Sequence, residues 1–377
     1  MFANARALSV RAAAAGLLIT ILAPSAPAQP GGPIAGGLPC ALAAKNAITE
    51  DDKTQIRRFV ESQAADLVSE NAEASRIARD RLAAPLACPN VSVEFRLEFG
   101  QALGQRLSPI VIGPNERLSV IATRLIGRAA TTASLPVLNS ALADARQTIR
   151  FGAAGGYREM VLLLAQGAVL FPERTVDQIL DSLFSSLAKE SDPLVAEALI
   201  LALNETRISA PLRAKAMTRM VGALSDRLPA IRAERGAAIR WASSLLRGID
   251  AARLTLFEMI PAGNVDREFA NRAALLSGQV FAMGRDMLTR LPKEPDPAAY
   301  ADVVRLLGAT EGLAVISYNA ATNQRTPERG MPALLETAVR QGDPRPFNDA
   351  VQAWIGPNGL LLKPPFNAKA TDFAPVN

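Results

Sequence analysis

The chain has 377 residues and a formal net charge of +5, with hydrophobic residues at 49%, charged residues at 20%, 25 Gly, 26 Pro, two Cys and no His. That is the composition of an ordered chain, long enough for two or three domains or one elongated repeat. Lacking an imidazole, it is barred from Ser-His-Asp and Cys-His catalysis, histidine metal sites and histidine pH switching; two cysteines argue against a structural zinc or iron-sulfur centre.

Residues 1–28 carry the parts of a secretory signal: Arg6 and Arg11, an apolar stretch from Ala12 to Ala23, and Ala26-Pro27-Ala28 before Gln29. Cleavage is expected after Ala28. The apolar stretch spans about 18 Å of helix against a hydrocarbon core of about 30 Å, which is too short for an anchor. The run from Met160 to Phe171 is similarly short and reads as a buried helix. Gly37-Leu38-Pro39 before Cys40 lacks the small residues of a lipoprotein site. A periplasmic or secreted protein with no membrane span after cleavage is the expectation. Aromatic residues make up only 5%, which leaves few platforms for stacking bases, so no nucleic-acid partner is expected.

Residues 29–48 are expected to be a flexible leader, of which 29–39 read QPGGPIAGGLP, with the fold starting near Cys40. Residues 49–110 read as an N-terminal helical hairpin region. Thr49 is the cap, Asp51 and Asp52 lie in the first turn, and Ile56, Phe59, Val60, Ala64, Leu67 and Val68 form one apolar stripe. In an oxidising compartment Cys40 and Cys88 are expected to pair. An unbroken helix over 50–83 would be about 51 Å long and would hold the cysteines apart. The pairing therefore predicts a chain reversal near Ser69-Glu70-Asn71. Residues 91–99, VSVEFRLEF, alternate like a strand. With no second strand to pair with, and with Asn90 as cap and Phe95, Phe99, Leu103 and Leu107 spaced four apart, helix is preferred.

Beyond residue 115 every apolar pattern has helical period, which predicts an all-α chain with a helical repeat domain over 111–356. Helices are expected in pairs: Leu135 to Ala143 with Thr148 to Ala165, Val176 to Lys189 with Leu194 to Asn204, and Pro211 to Ser225 with Ile231 to Arg247. Further helices are expected at Ala251 to Met259, Asp266 to Leu291, Ala298 to Thr322, Pro332 to Gln341 and Phe347 to Trp354. In the tail, 357–377, Leu360 to Leu362 is expected to fold over the last helix.

These pairs resemble HEAT-type (armadillo-like) repeats. Asp144, Ile149-Arg150 and Ala153-Ala154 match one copy of that pattern; Asp192-Pro193, Val195, Ala196 and Ala198 match a second, without the usual Arg; Ile231-Arg232 with Ala237-Ala238 match a third. The resemblance covers the middle of the chain and its spacing is irregular. It implies an α-solenoid of stacked antiparallel hairpins, a HEAT-like superhelix, whose small residues let helices approach closely.

Chemistry-bearing patterns are sparse. Ser186-Leu187-Ala188-Lys189 fits S-x-x-K, with Ser317-Tyr318-Asn319 as an S-x-N, but K-T-G is missing. Ser317-Tyr318-Asn319-Ala320 also looks like a segment of lytic transglycosylases, for which Glu311 or Glu258 would have to be the buried acid. Glu94 with Glu98 and Asp177 with Asp181 are carboxylate pairs four apart, with no loop to complete a cation site. No phosphate loop and no metal or cofactor motif occurs.

The segment from Arg207 to Arg253 carries ten basic and three acidic residues, a local +7. On one continuous helix Arg232, Arg240 and Arg247 fall within about 80° of one another, which with Arg219 predicts a basic groove on the concave face. The function expected is non-catalytic: an exported binding or scaffold protein of the bacterial cell envelope whose partner is a protein or an anionic envelope component. The alternative is a peptidoglycan-acting enzyme using a buried carboxylate, and a third class is a binder of a small apolar ligand inside the stack. Oligomeric state is not set by these patterns.

Overall fold

In the computed structural model the described residues are 37–234, 236–260, 265–291 and 296–375. The signal segment expected at 1–28 and the expected leader up to residue 36 lie outside them, as does Arg235. The chain is helical from its first described turn: α1 is Cys40–Ala43 and α2 is Glu50–Leu67. Thr49 and Asp52 cap α2 reciprocally, each accepting from the other's backbone N–H. Lys45 grips Asp52 at 2.7 Å, and this bond, with those from Thr49, holds the Asp52 carboxyl down to about 2.

The chain reverses where the cysteine pairing demanded. Asn71 accepts from Glu73 and Ala74 to cap α3, Ala72–Ala83, and Cys88 returns to Cys40 as a disulfide with Cα atoms 5.5 Å apart. The leader ends earlier than expected. Leu42 and Ala43 are buried, and Ser92 donates to Ala43 O and Lys45 O, so residues 40–48 belong to the fold.

Residues 91–99 enter α4, Val93–Val111, with no strand among the described residues. The cap is Ser92 rather than Asn90, which takes φ 57°. Only the four-spaced half of the apolar alternation is used: Phe95 and Phe99 are at 0% exposure, while Val93 and Leu97 face outward at 59% and 49%. Helical packing thus overrides strand-like alternation, because one helix face can be buried without a partner strand.

The chain then runs through α5 (Glu116–Ala129), α6 (Leu135–Leu142), α7 (Gln147–Ala165), α8 (Glu173–Lys189), α9 (Pro193–Asn204), α10 (Ala210–Ala233) and α11 (Ala237–Met259). It continues with α12 (Arg267–Leu288), α13 (Ala301–Thr322), α14 (Met331–Gln341) and α15 (Arg345–Ile355). Two layers result, built from stacked antiparallel hairpins, which makes the chain an α-solenoid. Helices α5, α7, α9, α11 and α13 pack side by side as one layer, and α8, α10 and α12 form the other, with α6 packed against α7 but only slightly against α4 and α8. The layers meet over a continuous core that includes Tyr157, Trp241, Phe269 and Phe281.

Two helices run through breaks expected from the sequence. α10 continues past Pro229 because Leu228 and Ile231 are both buried, and the chain turns instead at Gly236, whose φ is +71°. α11 continues past Gly248 because a Cβ there would lie 2.5 Å from Leu224, so this glycine serves close packing.

Candidate functional site

The local +7 between Arg207 and Arg253 does not become a basic groove. Acids from neighbouring helices meet its cations: Glu258 takes Arg207 and Arg213 at 2.5 Å each, Asp177 takes Lys215, Asp181 takes Arg219, and Glu197 takes Arg247 at 3.3 Å. Arg219 also lies over Phe184, 4.3 Å from the ring centroid. Arg240 pairs with Glu234, and Arg253 with Asp250 at 3.0 Å. Arg232 is not on the surface at all. It ends α10, whereas Arg240 and Arg247 lie on α11, so a single 100° wheel does not relate them. Its side chain is 3% exposed and donates to Asp286 from Nε at 3.1 Å and Nη2 at 2.7 Å.

The carboxylates offered for catalysis are engaged as well. Glu311 is buried and accepts from the backbone N–H of Arg329 and, at 3.0 Å, of Met331, which anchors the start of α14. Glu258 is the shared acceptor of two arginines. Asp177 and Asp181 sit in the α8–α10 ion pairs, and Glu98 faces Lys53 at 3.6 Å. Ser317 is fully buried.

A different surface gathers unspent polar groups. α6 is a helix of 8 residues between α4 with 19 and α8 with 17, so it leaves space along its flank. Two adjoining hollows of about 600 and 630 Å³ lie there, sharing Asn139, Asp181 and Ser182. The α8 wall is Ser182, Ser185, Ser186 and Lys189, which recur at the three-and-four spacing that puts them on one face. Thr132, Thr175 and Gln178 extend the lining.

Beneath this groove, Tyr157 is at 0% exposure and burial pushes its phenol up to about 12, against a smaller opposing bond from Ser182. It remains a neutral donor and holds Asn139 Oδ1 at 2.5 Å, which leaves the Asn139 amide N–H groups facing outward. At the end of the groove Arg150 grips Glu190 with two bonds of 2.9 Å and donates to Asp144 O and Ala145 O. Burial disfavours the Glu190 anion, but Arg150 and the N–H groups of Asp192 and Ser191 outweigh it and bring the carboxyl below the usual glutamate value. Asp181 is taken by Arg219.

The hydrogen-bonding capacity left over consists of the Lys189 ammonium and the Asn139 amide N–H groups, which donate, and of hydroxyls, which donate and accept. The Ser185 and Ser186 hydroxyls make no hydrogen bond among the described residues, and Lys189 meets no acid there. Sequence reasoning reached Ser186 and Lys189 through the S-x-x-K pattern but missed Asn139, Tyr157 and Ser182. The hydroxyl stripe on α8 was readable. That α6 would be too short to cover it was not. No protein-family model matches the chain, and no curated protein does either.

Proposed function

We propose that the chain is an exported, non-catalytic binding module of the bacterial cell envelope, built on HEAT-type hairpins, and that the groove between α6 and α8 holds an anionic envelope polymer. The carrying observation is the chemistry left in that groove. Its acids are neutralised by arginines, while Asn139, Ser185, Ser186 and Lys189 offer donors. Donors and one cation select a ligand rich in oxygen acceptors, such as a glycan bearing phosphate or carboxylate groups. Export is supported by the signal-like residues 1–28 and by the Cys40–Cys88 disulfide, a bond that persists in oxidising compartments.

The test is calorimetric titration of the mature chain with acidic glycan fragments solubilised from the envelope, beside Lys189→Glu and Arg240→Glu. Lys189→Glu is expected to weaken binding at least tenfold and Arg240→Glu to leave it unchanged. Equal binding by wild type and Lys189→Glu, or none by wild type, overturns the reading.

A further inference from the structure

Residues 372–374, near the end of the described chain, are held by their main-chain carbonyls. Arg232 donates from Nη1 to Asp372 O at 3.3 Å and from Nη2 to Ala374 O at 2.5 Å, and Arg285 donates from Nη2 to Phe373 O at 2.7 Å. Three successive main-chain carbonyls are thus read by two arginines. Both arginines are aimed by one buried carboxylate: Asp286 accepts from Arg232 on Oδ2 and from Arg285 on Oδ1 at 3.1 and 2.9 Å.

Only one side chain of that stretch is recognised closely. Phe373, 2% exposed, fills a notch floored by Gly278 of α12, where a Cβ would lie 2.7 Å from its ring and 2.8 Å from Leu361. Residues 370–373 form a 3-10 turn, and carbonyl recognition carries no sequence information, so the cluster suits any segment that takes this turn and places an aromatic residue in the Gly278 notch. A separate hollow of about 360 Å³ adjoins the cluster on its other side, past Arg232 and Asp286, between Ala238, Met283, Met287 and Tyr300.

We propose that the Arg232–Asp286–Arg285 cluster with the Gly278 notch is a receptor site for an aromatic-bearing peptide that takes a 3-10 turn, and that the segment 370–374 is its resident, exchangeable ligand. Covalent attachment gives the tail an effective concentration in the millimolar range, so an outside peptide competes only weakly until the anchor is lost. This inference is independent of the α6–α8 groove.

The experiment adds a fluorescent peptide with the sequence of residues 363–377 to the full chain and to its Phe373→Ala variant. The peptide is expected to bind Phe373→Ala at least tenfold more tightly than wild type. A peptide whose own phenylalanine at that position is alanine should not bind, and neither should the full peptide to a chain carrying Phe373→Ala with Arg232→Met. Equal binding to wild type and Phe373→Ala, or binding that ignores the aromatic residue, overturns the proposal. If Phe373→Ala loses its helical circular dichroism, hydrogen exchange on the wild-type chain decides. Excess peptide must accelerate exchange of the amides of 370–375 without affecting α12, and unchanged tail protection refutes exchange.

Discussion

Asp286 shows how burial changes the weight of a single side chain. It is 5% exposed and is the acid shared by Arg232 and Arg285. Removing it leaves two buried cations facing each other, so Asp286→Ala is expected to destabilise the chain by about 3–5 kcal/mol in chemical denaturation. Arg240→Gln, which breaks an ion pair with the arginine side chain 54% exposed, should stay within about 0.5 kcal/mol. Glu190 connects burial to pH. Its folded value lies below the ordinary 4.5, so its contribution is fully present above that pH and is lost as the pH falls through the folded value. The stability gap between wild type and Glu190→Gln should therefore be wide at pH 7 and shrink towards pH 3 in parallel urea titrations. Neither role was readable from local sequence. Arg232 and Asp286 are 54 positions apart, and Arg150 and Glu190 are 40 apart, so only the fold says which charges meet.

At the scale of elements, small residues set how closely the layers approach. α5 and α7 touch backbone to backbone: a Cβ on Gly127 would lie 2.0 Å from Gly156 O, and one on Gly156 would lie 2.5 Å from Thr123 O. A carbonyl of a packed helix cannot swing aside like a side chain. Gly127→Ala is accordingly expected to cost about 3 kcal/mol and to lower Tm by several degrees, measured by circular dichroism. The Gly156-Tyr157 pair also joins packing to the candidate site, since the residue after the contact glycine is the phenol that orients Asn139. Ala153-Ala154 and Ala237-Ala238 stood out in the sequence for the same reason as these glycines. The breaks expected after Ser225 and after Arg247 fall at Pro229 and Gly248, and the helices run through both. Each is a breaker in isolation and is tolerated where buried neighbours hold the helix on both sides.

Across the whole molecule, the two ends of the described chain are both fastened. The Cys40–Cys88 link closes a separation of 48 residues around the α2–α3 hairpin, and the tail is latched onto α12 and α15 through Leu361 and Phe373. Replacing both cysteines by serine is expected to destabilise the chain by about 4 kcal/mol on the chain-entropy model, seen as a lower denaturant midpoint. The sequence by itself predicted an all-α chain and where most hairpins lie, and it led to the expectation that residues 40 and 88 pair, as they do. Helical periodicity, caps and turn residues act within a few positions of one another, and the disulfide is a geometric demand on a single pair. Only the tertiary structure decided which charges neutralise one another, how far α6 reaches, and that Arg232 serves the tail rather than the surface. Those outcomes depend on distances between helices far apart in sequence, and a local count of charges does not contain them.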